Sequence, residues 1–110
     1  MKIDAFNEIV SDAIDEIRRR LVEKGSEYTV DGDRIGHNKK LAAMLGVPTT
    51  FATVSEMSKH YITIVELAKK DYLAMRCNQK TDNFDQWYER LFDLICYCII
   101  LLAIVSKEEN

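Results

Sequence analysis

Apolar residues recur at three- and four-residue intervals through most of the sequence, and this spacing restricts the fold more than any other feature. Between positions 3 and 22 the apolar residues are Ile3, Phe6, Ile9, Val10, Ala13, Ile14, Ile17, Leu21 and Val22. An α-helix brings residues three and four apart onto one face, so the pattern predicts an amphipathic helix. We expect Asp4 to cap its N-terminus and Gly25 to end it. The opposite face, which includes the run 18–20, is expected to be solvated.

The next segments predict a short helix and then a long one. The short helix covers residues 38–45 and is ended by Gly46. The only proline, Pro48, precedes the long helix, because proline is tolerated at the start of a helix. Apolar residues keep a helical period over 51–75.

A last helix is predicted after the polar segment 81–83, with Asp85 as an analogue of a capping box. It continues to about Ser106 and leaves a polar tail at 107–110. The chain is therefore predicted to be one all-α domain, 1–110, built as a small bundle of about four helices, of which two or three are long and one is short.

The segment 25–37 is predicted to be a long loop, since it contains three of the four glycines. Its only strand-like fragment is 28–30. Long loops in small domains are uncommon unless they have a function, so this loop is a candidate binding element.

Size and charge narrow the class of function. The chain has 110 residues, of which 47% are hydrophobic, and a formal net charge of −3. An acidic chain is a poor ligand for nucleic-acid phosphates, so no nucleic-acid polymer is expected as a partner. A domain this small buries a modest share of its surface, so a homo-oligomer is expected.

The three cysteines favour a reducing compartment. An odd number of cysteines and an N-terminus without a signal peptide predict free thiols in the cytoplasm. Cys96 and Cys98 stand in an apolar run without metal or redox spacing, and we expect both to be core thiols.

The apolar segment 91–105 is shorter than the roughly 20 residues that a bilayer requires and contains Asp93, so we predict a buried core helix and no membrane span. A buried carboxylate requires a cation, a metal or backbone donors. Two readings remain open for Asp93: an ion pair with Lys59 or an arginine, and a ligand or metal role. A spacing of four residues puts Asp93 on one stripe with three other polar residues, Asp85, Glu89 and Tyr97.

Polar residues also interrupt the long helix. Glu56, Lys59 and His60 follow one another at helical steps. They form either an exposed face or a polar site opposite Asp93, in which His60 could contact phosphate or act as a base.

The loop and the start of the short helix supply further candidates for a phosphate site. Cations beside glycines could close over a phosphate, and Arg34 could bind it through two hydrogen bonds. The candidate residues are Lys24, Glu27, Tyr28, Arg34, His37, Asn38, Lys39 and Lys40. No Walker-type or dinucleotide fingerprint is present.

Several short motifs together resemble the phage-associated family called nucleotide modification associated domain 1, and more distantly the MazG-like all-α nucleoside triphosphate pyrophosphohydrolases. The resemblance spans about residues 17–105. Its motifs are Lys24-x-x-Glu27-Tyr28, Arg34, Asn38, Leu45-Gly46-Val47-Pro48, Glu56-Met57-Ser58-Lys59-His60 and Glu89-x-x-x-Asp93-Leu94-x-x-Tyr97.

The resemblance implies a helical scaffold whose acidic residues face a nucleotide, usually through magnesium. Here Glu56, Glu89 and Asp93 would hold the metal and act in catalysis, while Lys59 and Arg34 would hold phosphates; the other ligand-binding residues would be Glu27, Tyr28, His37, Asn38, His60 and Tyr97. Two departures weaken the magnesium expectation. Lys59 stands where the MazG-like enzymes have a second acid, and Glu89 and Asp93 are four residues apart, whereas the corresponding acids of those enzymes are three apart.

Three hypotheses follow. The first is a magnesium-dependent nucleotide pyrophosphohydrolase or a related nucleotide-modifying domain, in the cytoplasm of an infected or lysogenic bacterium if the chain derives from a phage. The second is a protein that binds a nucleotide or a nucleotide-derived immune signal without cleaving it. The third is a helical protein-interaction module. The sequence leaves open whether the chain is an enzyme.

Overall fold

The computed structural model describes residues 1–107 and has four α-helices. They are α1 (Ile3–Arg18), α2 (Gly36–Leu45), α3 (Thr49–Arg76) and α4 (Phe84–Ser106). Among the residues described there is no strand, only an isolated bridge between Val30 and Asp33. The all-α prediction, with one short helix among four, is confirmed. Of the predicted polar tail, residues 108–110 lie outside the described residues.

The N-terminal helix differs from the prediction at both ends. Lys2 is the N-cap and no side chain caps the helix, so the prediction that Asp4 is the cap is wrong. Asp4 lies instead in the first turn, where a carboxylate interacts favourably with the helix dipole. The α-helix ends at Arg18 and continues as one wide π-helical turn, Arg19–Glu23, before Gly25.

The predicted long loop is shorter and more ordered than expected. A 3-10 turn, Gly25–Tyr28, follows the π turn, and α2 begins at Gly36. As predicted, Gly46 ends α2; its φ of 68° is left-handed, a conformation that glycine adopts without steric cost.

Helices α3 and α4 form an antiparallel pair tied together at one end by Asp71. The Asp71 carboxylate accepts hydrogen bonds from Asn83 Nδ2 at 2.6 Å and Trp87 Nε1 at 2.8 Å. Asn83 is the N-cap of α4 but makes no side-chain capping bond, so the predicted capping-box analogue at Asp85 does not form. The side chain of Asn83 is used to join the two helices.

The core is small and lies where α3 meets α2 and α4. Its buried apolar residues are Ala42, Ala52, Leu67, Phe92, Cys96 and Ile104. Thr53 is also fully buried; its hydroxyl donates to the carbonyl of Thr49 and accepts from Asn38 Nδ2, which joins α2 to α3.

The segment 91–105 is only partly a core helix, which corrects the prediction. One face of it is buried, but Leu91, Ile95, Ile99, Leu102 and Val105 are 36–63% exposed. The two thiols of this segment also differ in burial. Cys96 is buried, as predicted, whereas Cys98 is exposed, so the prediction of a core thiol is wrong for Cys98. No helix within residues 1–107 is long and apolar enough to cross a membrane.

Candidate functional site

The π-helical turn after α1 gathers two arginines around one carboxylate. Arg19 Nε donates to Glu16 Oε2 at 3.0 Å, and Arg20 Nε donates to Glu16 Oε1 at 2.8 Å. Hydrogen bonds from Arg19 and then Arg20 lower the pKa of Glu16 to about 2. Wide turns of this kind often occur at functional sites.

Arg20 then reaches across to α4, where it binds two more carboxylates. Its Nη2 lies 2.8 Å from Glu89 Oε1, and its Nη1 lies 3.5 Å from Asp93 Oδ1. The guanidinium also lies over the ring of Phe92, 5.2 Å from its centroid. Burial lowers the pKa of Arg20, but its bonds to Glu16 and Glu89 outweigh burial and raise the pKa overall.

This arrangement identifies the cation that Asp93 requires. Of the two partners expected from sequence, it is an arginine that pairs with Asp93, and Lys59 does not. Lys59 is 73% exposed and binds Glu56 at 3.0 Å on its own helix. His60 Nδ1 lies 3.8 Å from Asp93 Oδ2 and is a second neighbour of the carboxylate. Asp93 is itself only partly buried.

An open cavity of about 650 Å³ lies beside this ion cluster. It falls within the range of roughly 300–1,000 Å³ that is typical of small-molecule sites. The residues that line it are Arg19, Arg20, Leu21, Lys24, Tyr28, Arg34, His37, Asn38, Leu41, Glu56, Glu89, Asp93, Cys96, Tyr97 and Ile100.

Arg34 is one of the cations that line the cavity. Arg34 Nε donates to the carbonyl of Leu21 at 3.4 Å, and the guanidinium lies 5.7 Å from the ring centroid of Tyr28. A Cβ at Gly25 would lie 2.8 Å from Arg34 Nε, so glycine at this position permits the close approach of the arginine. Neither Arg34 nor Lys24 has a carboxylate partner within residues 1–107.

The three predicted acids, Glu56, Glu89 and Asp93, also line this cavity. Each of them is paired with a cation: Glu56 with Lys59, and the other two with Arg20. No group of three or more metal-ligating side chains is arranged around a common point in the part of the chain that the structure describes. In this arrangement a metal ion would have to replace Arg20 as the partner of Glu89 and Asp93.

Aromatic groups complete the cavity. The ring of Tyr97 lies 4.9 Å from that of His60, and burial raises the pKa of the Tyr97 hydroxyl. The ring of Tyr28 is half exposed and meets the edge of His37 at 6.2 Å. Both tyrosines therefore offer a face or an edge to a planar ligand.

Most of the residues predicted from sequence as site residues line this cavity. They are Tyr28, Arg34, His37, Asn38, Glu56, Glu89, Asp93 and Tyr97. The structure does not bring Glu27, Lys59 or His60 to its surface, although His60 packs behind Asp93 and Tyr97.

Arg20 and Glu16 form the centre of the ion cluster but are not among the site residues predicted from sequence. The run 18–20 was expected to lie on a solvated face, yet the Arg20 side chain is only 15% exposed. The one sequence feature that indicates this ion pair is Asp93, because a carboxylate in an apolar segment needs a cation. Arg20 could not be identified as that cation from the apolar spacing, because the π turn changes the direction of the side chains that follow Arg18.

The low pKa of Glu16 predicts an acid-sensitive contribution to stability. The pKa falls from 4.5 to about 2 on folding, so this contribution is complete above about pH 4.5 and is lost as the pH falls towards 2. In urea unfolding measured from pH 7 to pH 2, we expect Glu16→Gln to be less stable than wild type at pH 7. The difference between the two should shrink below pH 4.5.

Glu8→Gln provides the control, because Glu8 is an exposed glutamate on the same helix without an ion pair among the described residues. Its unfolding free energy should run parallel to that of wild type. A gap between wild type and Glu16→Gln that stays constant from pH 7 to pH 2 would contradict the linkage.

These contacts define the site from the chain's own residues. Comparison with protein-family models, with curated proteins and with solved structures finds no match.

Proposed function

We propose that the cavity binds a phosphate-bearing small molecule, a nucleotide or a nucleotide-derived signal, and holds it without cleavage. The observation that carries this proposal is the pair of cations Lys24 and Arg34, which line the cavity without a carboxylate partner among residues 1–107. Cations in this position favour an anion, and a guanidinium can bind phosphate through two parallel hydrogen bonds.

The rest of the cavity suits the other parts of a nucleotide. Tyr28 and Tyr97 offer aromatic surface for a base, while Leu21, Leu41 and Ile100 supply apolar surface. Asn38 donates its amide nitrogen to Thr53, and within residues 1–107 its side-chain oxygen accepts no hydrogen bond, so that oxygen can accept one from a ligand.

The ion cluster favours binding that does not require a metal. Arg20 already pairs with Glu89 and Asp93, and a cation among carboxylates repels magnesium. From the sequence Lys59 is the expected cation, whereas in the structure the cation that pairs with the acids of α4 is Arg20.

Magnesium-dependent pyrophosphohydrolysis is the second candidate. It is favoured by one observation, that Glu56, Glu89 and Asp93 line the same cavity as the cations. These three carboxylates would hold the ion, which would supply charge neutralisation of phosphate and activation of water. Together with this second candidate we propose that the fold is MazG-like and that the protein is cytoplasmic.

A thermal-shift panel tests the proposal. It contains inorganic phosphate, pyrophosphate, canonical, modified and cyclic nucleotides, and nucleosides as phosphate-free controls, each with magnesium and with EDTA. A ligand at 100 times its Kd adds about 2.7 kcal/mol of stability. For a domain of this size that corresponds to a rise in Tm of roughly 10–20 °C.

We expect at least one nucleotide to raise Tm in EDTA and to be recovered intact, while the matching nucleoside does not. A rise that requires magnesium, together with turnover, would replace the proposal by the second candidate. If no nucleotide changes Tm under either condition, both are wrong and the protein-interaction hypothesis is favoured.

A further inference from the structure

Helix α1 has an apolar face that no other part of residues 1–107 covers. Its residues Ile3, Phe6, Ile9, Val10 and Ile14 are 41–74% exposed, and in α1, all of which the structure describes, no residue is buried. An isolated helix of 16 residues is marginal in water, because helices in proteins are stabilised chiefly by packing of their apolar face. A helix with this pattern therefore requires a partner surface.

The neighbouring helix has a matching stripe. The exposed residues Leu91, Ile95, Ile99, Leu102 and Val105 follow one another at steps of three and four along α4. The two helices are joined by Arg20, which extends from the end of α1 to Glu89 and Asp93. The stripes of α1 and α4 thus belong to adjacent elements of one molecule.

The total surface area of the chain is larger than that of a compact monomer, and the difference indicates how much surface a partner could cover. The chain exposes 8299 Å², whereas a compact monomeric protein of its mass exposes about 6,200 Å². Its radius of gyration is 16.8 Å, against about 13 Å for a compact domain of this length. About 2,000 Å² of surface is thus in excess, more than the roughly 800 Å² per partner of a standard interface and within the range of obligate homodimers.

We propose that a second copy of this chain packs against the apolar stripes of α1 and α4, so that the protein is a homodimer or a multiple of it. A two-fold symmetric pair covers the same stripes on both copies at once, which suits a face that every copy exposes. The alternative of an anionic membrane surface is disfavoured, because the polar face of α1 carries Asp4, Glu8, Asp12 and Asp15.

The test is the mass of the full chain in solution, measured by light scattering after gel filtration. Wild type is expected at twice 12.7 kDa or a multiple of it. The double variant Phe6→Glu with Ile14→Glu is expected to lose association and to run at the mass of one chain. The control is Met44→Glu with Met75→Glu, which changes two exposed apolar residues outside both stripes and should leave the assembly intact.

Hydrogen exchange on wild type keeps the proposal testable if the α1 variant fails to fold. In the assembly, amides of α1 should exchange as slowly as those of the helices that form the core. A wild-type mass of 12.7 kDa would overturn the proposal. So would a folded α1 variant that still associates, or an assembly in which α1 exchanges as fast as exposed loops. None of these outcomes depends on the ligand, so they are distinct from a failure of the nucleotide-binding proposal.

Discussion

Replacing Arg20 with alanine is expected to lower the free energy of unfolding by about 2–4 kcal/mol, because it leaves three carboxylates without their common cation. Glu16, Glu89 and Asp93 all bind this one guanidinium. Breaking a fully buried pair costs about 3–5 kcal/mol, and a smaller loss is expected here since Glu89 is 60% exposed. The lost stacking on Phe92 adds to the effect.

Urea and thermal unfolding measure this change, and a neighbouring arginine supplies the matched control. Arg18 is the last residue of α1, is exposed and has no ion pair among residues 1–107, so Arg18→Ala should change stability by less than about 0.5 kcal/mol. Arg20→Lys should be intermediate, because an ammonium keeps the charge but cannot reproduce the planar set of donors. Equal stability of Arg18→Ala and Arg20→Ala would show that the cluster contributes nothing.

The sequence predicted the helices well because their signals are local. Apolar spacing identified α1, α3 and α4, and Gly46 marked the end of α2 through a conformation that few other residues adopt. Caps were predicted less well. Asn83 has the side chain of a good cap, yet Asp71 on another helix binds it instead. A tertiary contact thus replaced a local one.

The site could be predicted in part for a related reason. Asp93 was recognised because a carboxylate in an apolar run is unusual whatever the fold, and the need for a cation followed from the cost of burial. The choice of Arg20 over Lys59 depends on where α1 ends and on the π turn that begins at Arg19. Neither the end of α1 nor the π turn changes the spacing of the apolar residues, so Arg20 could not be identified from sequence as the partner of Asp93.

Removing Lys24 and Arg34, the two cavity cations without a carboxylate partner among residues 1–107, should abolish most of the proposed ligand affinity. Hydrogen bonds to charged groups contribute about 1.5–3 kcal/mol each, so Lys24→Gln together with Arg34→Gln should weaken binding about 100-fold or more. Glutamine keeps the first two methylenes of each side chain and a polar end, which limits the loss of packing between Arg34 and the turn at Gly25. Isothermal titration in EDTA measures the change, with the nucleotide that gives the largest thermal shift.

A charge-matched control separates a local effect from a general one. Arg18→Gln together with Lys40→Gln removes the same two charges from exposed positions outside the cavity lining. If net charge alone attracted the ligand, both double variants would lose affinity equally and the loss would vanish at high salt. If the cavity binds phosphate, only the Lys24 and Arg34 pair matters, and each single variant should account for part of the loss. Unchanged affinity in that pair would place the ligand elsewhere, since its anionic group would then not be held by these two cations.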